Sequence, residues 1–181
     1  MKIIPIFGQN LYAIKYPDEV QDEFHRLFSL WNDPEYLEEF FDANIEDITD
    51  GFYGTFTVEG AIFETYDSAV CFETQLRDLA TKGNYHQLNG LDAIFKPLHN
   101  QQTRILPLNA SKARQDWLRL YALRIDKQIY IITGGAIKLT RTMQERDHTK
   151  EELAKIRMCR EYLINKGISD IDGVIEEMEI L

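Results

Sequence analysis

The sequence predicts an α+β fold in which an antiparallel β-meander and N-terminal strands are packed against several helices. Two patterns predict it. Apolar residues alternate at the N-terminus and again late in the chain, and elsewhere they recur at helical spacing. The 181 residues, 1–181, suit a single domain, and the 44% hydrophobic content is enough for a sizeable core.

The acidic part, residues 1–111, is predicted to be mostly helical after an opening hairpin. Residues 2–7 and 11–16 alternate around Gly8-Gln9-Asn10, which favours a hairpin turn. Helical patterns follow at 17–31, where Pro17-Asp18-Glu19 suits a first turn, and at 34–42, 57–81 and 87–98. The buried stripe predicted for 57–81 consists of Val58, Ile62, Tyr66, Ala69, Val70, Phe72, Leu76 and Leu79. The polar stretch 99–116 is predicted to be a loop, and a short strand at 103–106 is kept as an alternative for that part of it.

The basic part, residues 112–165, is predicted to be a β-meander followed by a helix. Its strands are expected at 117–125, 128–133 and 136–140, with turns at Asp126-Lys127 and Gly134-Gly135. Because the strands are apolar on both faces, we expect both sides of the sheet to be covered. Thr149 and Glu152 have the spacing of a capping box that begins a helix, and Gly167 suits its end. Ser169-Asp170 then caps a short C-terminal helix within residues 166–181.

The charge of the chain is unevenly distributed. The net charge is −10, but residues 1–111 hold 7 Lys and Arg against 18 Asp and Glu, a net charge of −11. Residues 112–165 hold 12 against 7, or +5, and residues 166–181 hold 1 against 5, or −4. A basic segment within an acidic chain predicts a polarised surface with one face suited to anions.

Several function classes have no support in the sequence. No apolar run is long enough for a membrane span or a secretory signal, and Cys71 and Cys159 are predicted to be buried free thiols, so we expect a cytoplasmic protein. Gly134-Gly135 lacks the Lys-Ser/Thr ending of a phosphate-binding loop. The four histidines are scattered, and no metal site or cofactor is predicted.

The candidate functional residues are cations of the basic part. Phosphate groups attract such cations, and metal-free RNA cleavage needs charge stabilisation together with groups that move protons. Tyr121 and Tyr130 could stack on bases. In the alternative interpretation these residues are solvated strand edges and salt-bridge partners of the acidic part. Arg119 and Arg124 fall on opposite faces of one strand. The candidate cations and the histidine are Arg119, Arg124, Lys138, Arg141, Arg146, His148 and Lys150.

The order of elements in residues 117–165 resembles the RelE/HigB-like toxin superfamily. The run from Arg124 to Thr133 and the Lys138-Leu139-Thr140-Arg141 segment carry this resemblance, followed by the helix near Thr149. It implies a toxin-like endoribonuclease, an mRNA interferase of a toxin-antitoxin system, which is ribosome-dependent and metal-independent. Implied partners are a cognate antitoxin or another protein, and the ribosome with its mRNA.

The resemblance also implies roles for individual residues. Arg124, Lys138, Arg141, Arg146 and His148 would be catalytic. Arg119, Tyr121, Tyr130 and Lys150 would bind RNA. The alternative function is a non-catalytic protein-interaction module that retains the fold. The two hypotheses differ in whether the cations converge in a cleft.

Overall fold

The structure, a computed structural model, describes residues 1–82, 90–98 and 108–179. Its strands are β1 (Lys2–Phe7), β2 (Leu11–Lys15), β3 (Lys96–Pro97), β4 (Asn109–Gln115), β5 (Leu118–Asp126) and β6 (Ile129–Ile137). Its α-helices are α1 (Glu23–Trp31), α2 (Pro34–Ala43), α3 (Ile45–Thr49), α4 (Val58–Lys82), α5 (Asp147–Asn165) and α6 (Ile171–Glu179). Short 3-10 helices lie at Gly90–Ala93 and Met143–Glu145.

All these strands belong to one sheet with the order β1-β2-β6-β5-β4-β3. Neighbouring strands are antiparallel except β2 and β6, which run parallel and pair residues 11–13 with 130–132. The predicted α+β class and the N-terminal hairpin are confirmed, and β4, β5 and β6 form a meander. The complete sheet is nevertheless mixed, because the hairpin joins the meander through a parallel pair.

Helices cover both faces of the sheet. Helices α1 to α4 pack on one face, where the core contains Trp31, Phe41, Phe72 and Trp117. Helices α5 and α6 pack on the other face, where the core contains Tyr121, Leu123, Ile131, Ile156, Leu163 and Val174. Side chains of β5 alternate between the two cores, so that residues 118–125 are all buried. The expectation that the late strands are covered on both sides is confirmed.

Gly134-Gly135 does not form the predicted turn. Both glycines lie inside β6, where they pair with Tyr121 and Leu120, and β6 ends at Ile137. A Cβ atom at position 134 would collide with the Glu152 carboxylate, and one at position 135 with the backbone carbonyl of Arg119. Glycine is therefore required at both positions by close packing within a strand. The predicted separate strand at 136–140 is wrong, because residues 136 and 137 are the end of β6.

The first strand of the meander is β4, which lies in the stretch predicted to be a loop. Its sequence is Asn-Ala-Ser-Lys-Ala-Arg-Gln, which is mostly polar. The polarity suits a position near the edge of the sheet, because β4 pairs with the long strand β5 on one side and with only the two residues of β3 on the other. Of the described residues in 87–98, 90–93 form a 3-10 turn and 96–97 a strand, so a helix through that part is wrong. The strand considered at 103–106 lies outside the described residues.

Helix α1 begins later than predicted. It starts at Glu23, and Asp22 caps it by accepting a hydrogen bond from the His25 backbone N–H at 3.1 Å. Residues 17–22 precede the helix, and Val20 is 88% exposed. The predicted helices at 34–42 and 57–81 are confirmed as α2 and α4.

The buried stripe predicted for α4 is confirmed except at two positions, since Val58, Ile62, Ala69, Phe72, Leu76 and Leu79 are buried or pack against the core. Tyr66 and Val70 were expected in the core but are 50% and 49% exposed, and the Cys71 thiol is also exposed. The buried residues of α4 are Ala61, Thr65, Ser68, Ala69, Phe72, Leu76 and Ala80. The buried face thus combines small and hydroxylated residues, which lie mostly toward its N-terminal half, with the large side chains of Phe72 and Leu76.

The start of α5 is built differently from the predicted capping box. The Thr149 hydroxyl donates to the backbone carbonyls of Met143 and Arg146, and Glu152 points toward Gly134 and Lys155. A capping box forms instead between Thr142 and Glu145, at the preceding 3-10 turn. The end of α5 is as predicted, since Gly167 has a positive φ of 72°. Asp170 caps α6 by accepting from the Gly173 N–H at 2.9 Å.

Candidate functional site

A cleft of about 450 Å³ lies over the β4–β5 side of the sheet, next to the N-terminal part of α5. Strands β4 and β5 form its floor, the segment between β6 and α5 forms one wall, and the turn between α3 and α4 contributes another. The residues that line it are Phe52, Tyr53, Leu98, Lys112, Arg114, Arg119, Tyr121, Lys138, Thr140, Arg141, Thr142, Met143, Gln144 and Leu153. Five of them are cations, and no Asp or Glu occurs among these described lining residues.

Strand register brings the floor cations together. Lys112 pairs directly with Tyr121, and Arg114 pairs directly with Arg119. Directly paired residues of antiparallel strands project to the same face, so all four side chains belong to one surface. Like charges in such a pair are destabilising, and the Arg114–Arg119 pair is therefore a place where an anion would relieve repulsion.

Arg119 is held in place by neutral acceptors. Its guanidinium donates to the Asp116 and Leu118 carbonyl oxygens at 2.6 and 2.8 Å and to the Tyr53 hydroxyl at 2.7 Å. The residue is only 7% exposed. These bonds fix the orientation of the guanidinium but leave its charge uncompensated, which is how a preorganised anion site is arranged.

Lys138 and Arg141 come from the segment after β6. The Lys138 ammonium donates to the backbone carbonyls of Thr140 and Arg141. The Arg141 guanidinium lies over the Phe52 ring, 5.6 Å from its centroid. Burial and the nearby positive charges of Arg119 and Lys112 lower the pKa of Lys138, although Glu145 acts in the opposite direction. The Lys138 ammonium therefore loses its proton more easily than that of an ordinary lysine.

Tyr121 contributes a buried hydroxyl group to the floor. The residue is 1% exposed, and its hydroxyl has no hydrogen-bond partner in the described part of the chain. Burial raises the pKa of Tyr121, although Arg119 acts in the opposite direction, so the hydroxyl keeps its proton. The hydroxyl oxygen is sealed from solvent, so Tyr121 contributes to the shape of the cleft floor and not a hydrogen bond to a ligand.

Arg124 and Tyr130 lie on the opposite face of the sheet from the cleft. Arg124 forms a salt bridge with Asp92 at 3.0 Å, and the Tyr130 hydroxyl donates to the same carboxylate at 2.7 Å. Tyr130 also stacks on Phe95, with ring centroids 4.5 Å apart. This arrangement anchors the 3-10 turn at 90–93 to the sheet, as the alternative interpretation of salt-bridge partners expected.

Arg146, His148 and Lys150 also lie outside the cleft lining. Arg146 forms two hydrogen bonds with the Asp47 carboxylate, at 2.6 and 2.8 Å. The His148 Nε2 donates to the Ile137 carbonyl at 3.0 Å, and its ring contacts Phe40. Lys150 pairs with Asp147 at 2.9 Å. The structure therefore brings together Arg119, Tyr121, Lys138 and Arg141 from the predicted set, and it places the other five elsewhere.

Sequence reasoning missed Lys112 and Arg114 as cleft residues. Their signal was present, because Lys112-Ala113-Arg114 alternates basic and apolar residues with the period of a strand. It was overlooked because the stretch was interpreted as a loop. Phe52 and Tyr53 have no comparable signal, since they reach the cleft from a turn that is distant in sequence.

Comparisons with protein-family models, curated proteins and solved structures found no match for this chain. Within the described ranges, no group of three His, Cys, Asp or Glu side chains is placed to hold a metal ion. The helices of those ranges include none that is long and apolar enough to cross a membrane.

Proposed function

We propose that the cleft binds the phosphate backbone of single-stranded RNA and that the protein is a toxin-like endoribonuclease, an mRNA interferase. The observation that carries this proposal is the convergence of five cations without a carboxylate among the described lining residues. The remainder of the chain is acidic, so the cleft is a local exception that would attract a polyanion.

The geometry suits phosphate better than a simple carboxylate ligand. Arg114 and Arg119 lie side by side and Lys112 is on the same surface, so several oxygens of one anion could be contacted together. Phe52 and Tyr53 line the same cleft and offer ring surfaces for bases. Cations next to exposed rings are the combination that single-stranded nucleic acids require.

Metal-independent RNA cleavage needs few groups. The 2′-oxygen loses its proton and attacks phosphorus, the bond to the 5′-oxygen breaks, and that oxygen takes up a proton, which gives a 2′,3′-cyclic phosphate and a 5′-hydroxyl. Arg119 and Arg114 would stabilise the charge on the phosphorane. Because the described lining residues include no histidine or carboxylate, proton transfer falls to Lys138, whose neutral amine would take the 2′-hydroxyl proton and whose ammonium would then give a proton to the 5′-oxygen. The lowered pKa of Lys138 supports its role as the proton acceptor.

Binding is tested with a fluorescently labelled uridine oligonucleotide in which 2′-deoxy substitutions prevent cleavage. Lys112→Ala/Arg114→Ala should weaken binding and reduce the slope of log affinity against log salt by about 1.4, since each lost phosphate contact on a single strand contributes about 0.7. The matched control is Arg157→Ala/Arg160→Ala, which removes two exposed cations of α5. Equal losses in both variants would overturn the cleft as the RNA site.

Cleavage is tested by induced expression in a bacterium, followed by mapping of transcript ends. Wild type should arrest growth and produce cut transcripts, whereas Lys138→Ala should do neither and still bind the oligonucleotide. Normal growth with intact transcripts on expression of the folded wild type would contradict the nuclease proposal while leaving RNA binding open to the first experiment.

The second candidate function is a non-catalytic protein-interaction module. Arg124 and Arg146, which the resemblance implied to be catalytic, are instead paired with Asp92 and Asp47. Their engagement in internal bridges favours this candidate. It predicts a complex that is captured by pull-down, dissociates at high salt and forms without any nuclease activity.

A further inference from the structure

The outward face of α4 carries apolar side chains where a surface helix normally carries polar ones. Phe63, Tyr66 and Val70 are 64%, 50% and 49% exposed. Their spacing of three and four residues places them in a row along one side of the helix, opposite its buried face. Tyr66 and Val70, together with Asp67, Cys71, Thr74 and Gln75, line a shallow groove.

Carboxylates border this apolar stripe. From Val58 to Leu76 the helix contains Glu59, Glu64, Asp67 and Glu73 but neither Lys nor Arg. Glu73 pairs with Arg77 at 2.8 Å, whereas Glu59, Glu64 and Asp67 are exposed. On the helix surface, Glu64 and Asp67 lie on one side of the stripe and Glu73 on the other. The face therefore combines apolar contact area with a negative field.

We propose that the α4 stripe (Phe63, Tyr66 and Val70) docks an amphipathic α-helix of a partner protein whose apolar row is flanked by Lys and Arg. The apolar row would pack on the stripe, and the basic side chains would reach Glu64 and Asp67. This inference is independent of the RNA site, which lies over the sheet face that α5 and α6 cover, on the other side of the sheet from α4.

A helix is the occupant that fits because α4 offers side chains only. The backbone N–H and C=O groups of α4 are hydrogen-bonded within the helix. An extended peptide would therefore find no strand edge, and its own backbone hydrogen bonds would remain unmade. A partner helix satisfies its own backbone. A second copy of this chain fits less well, since the same stripe would bring Glu59, Glu64 and Asp67 of both copies together.

The probe is a labelled 18-residue helical peptide with a leucine row flanked by lysines, compared with the same peptide carrying glutamates. At about 100 mM salt the lysine peptide should bind and the glutamate peptide should not. Glu64→Lys/Asp67→Lys and, separately, Tyr66→Ser/Val70→Ser should weaken binding at least about tenfold. Bound peptide should also slow alkylation of Cys71, which lines the groove.

The matched control is Glu38→Lys/Glu39→Lys, which makes the same change in net charge on exposed residues of α2. It should change peptide affinity less than about twofold. Equal losses from the α2 and α4 charge reversals would overturn the proposal, as would full binding by Tyr66→Ser/Val70→Ser or no binding by wild type. A dimer in sedimentation that Tyr66→Ser/Val70→Ser dissociates would assign the stripe to a second copy instead.

Discussion

Glu152 places a carboxyl group in the interior, between α5 and α1. Its side chain is 6% exposed, one oxygen contacts Lys155 at 2.9 Å, and the other has no hydrogen-bond partner in the ranges described. Burial, aided by Glu23, raises the pKa of Glu152 to about 7 against the opposing effects of Lys155 and Arg26. Burial alone lowers the pKa of Lys155, but its two carboxylate partners outweigh burial and raise it. Lys155 therefore stays protonated and charged. Of the two groups, it is Glu152 whose charged form is disfavoured in the folded state.

The pH dependence of stability follows from this raised pKa. Between the ordinary value of 4.5 and about 7, the folded state holds a proton that the unfolded state has released. Stability therefore falls as pH rises through this window and, for this group, is constant on either side of it. From pH 5 to pH 8 the free energy of unfolding should drop by about 2 kcal/mol because of Glu152.

Glu152→Gln should remove this drop, so that the variant is more stable than wild type at pH 8 and similar to it at pH 5. Urea unfolding at both pH values measures the difference. Glu161→Gln, an exposed position on the same helix, is the control and should retain the dependence of wild type. Identical pH profiles for wild type and Glu152→Gln would show that the carboxyl group is not disfavoured when charged.

At the scale of elements, the Arg146–Asp47 bridge joins α3 to the start of α5. The two hydrogen bonds run from Nε and Nη2 of Arg146 to the two carboxylate oxygens. They connect the segment after β6, which forms one wall of the cleft, to the helix that precedes the Phe52–Tyr53 turn. The bridge thus holds two walls of the cleft at a fixed separation.

A positioning role for Arg146 predicts that removing either partner has the same effect. Arg146→Ala and Asp47→Ala should each lower RNA affinity and cleavage to a similar extent, and their double variant should be no worse. The stability coupling between them should be below about 1 kcal/mol, because the Arg146 side chain is 39% exposed. Loss of cleavage in Arg146→Ala with normal cleavage in Asp47→Ala would indicate a catalytic role instead.

The elements that could be predicted are those with an uninterrupted period. The hairpin, α2, α4 and α5 each repeat apolar residues at strand or helix spacing, and β5 is a long apolar run. The strand β4 was missed because its alternation is short and most of its residues are polar. Gly134-Gly135 resembles a turn unless the packing of Glu152 and Leu27 is known. Long-range packing therefore decided these local structures.

The candidate site was half predictable for the same reason. Sequence identified Arg119, Tyr121, Lys138 and Arg141, since they lie in or next to recognisable strands. Strand alternation already placed Arg124 on the opposite face from Arg119. Only the structure shows which face holds the cleft and that Asp92 pairs with Arg124. Lys112 and Arg114 follow only once the register of β4 with β5 is known.

At the scale of the whole molecule, the two helical layers share a single sheet and should unfold together. Trp31 and Trp117 are buried in one layer, and Cys159 is fully buried in the other, where burial raises the pKa of its thiol to about 11. In a urea series, loss of tryptophan signal and onset of Cys159 alkylation should have the same midpoint. Exposed Cys71 is an internal control that should react at every urea concentration. Separate midpoints would contradict one cooperative unit.

The parallel pair of β2 and β6 also affects how the protein is made. Residues 11–13 are synthesised well before their lateral partners, residues 130–132. Ile3 and Ile14, which are 3% and 0% exposed in the finished fold, pack in the core beneath α5 and α6 and therefore stay exposed until those late helices are made. A nascent chain interrupted before β6 and α5 leaves this face of the hairpin uncovered, and exposed apolar surface of this kind is what chaperones and proteases bind.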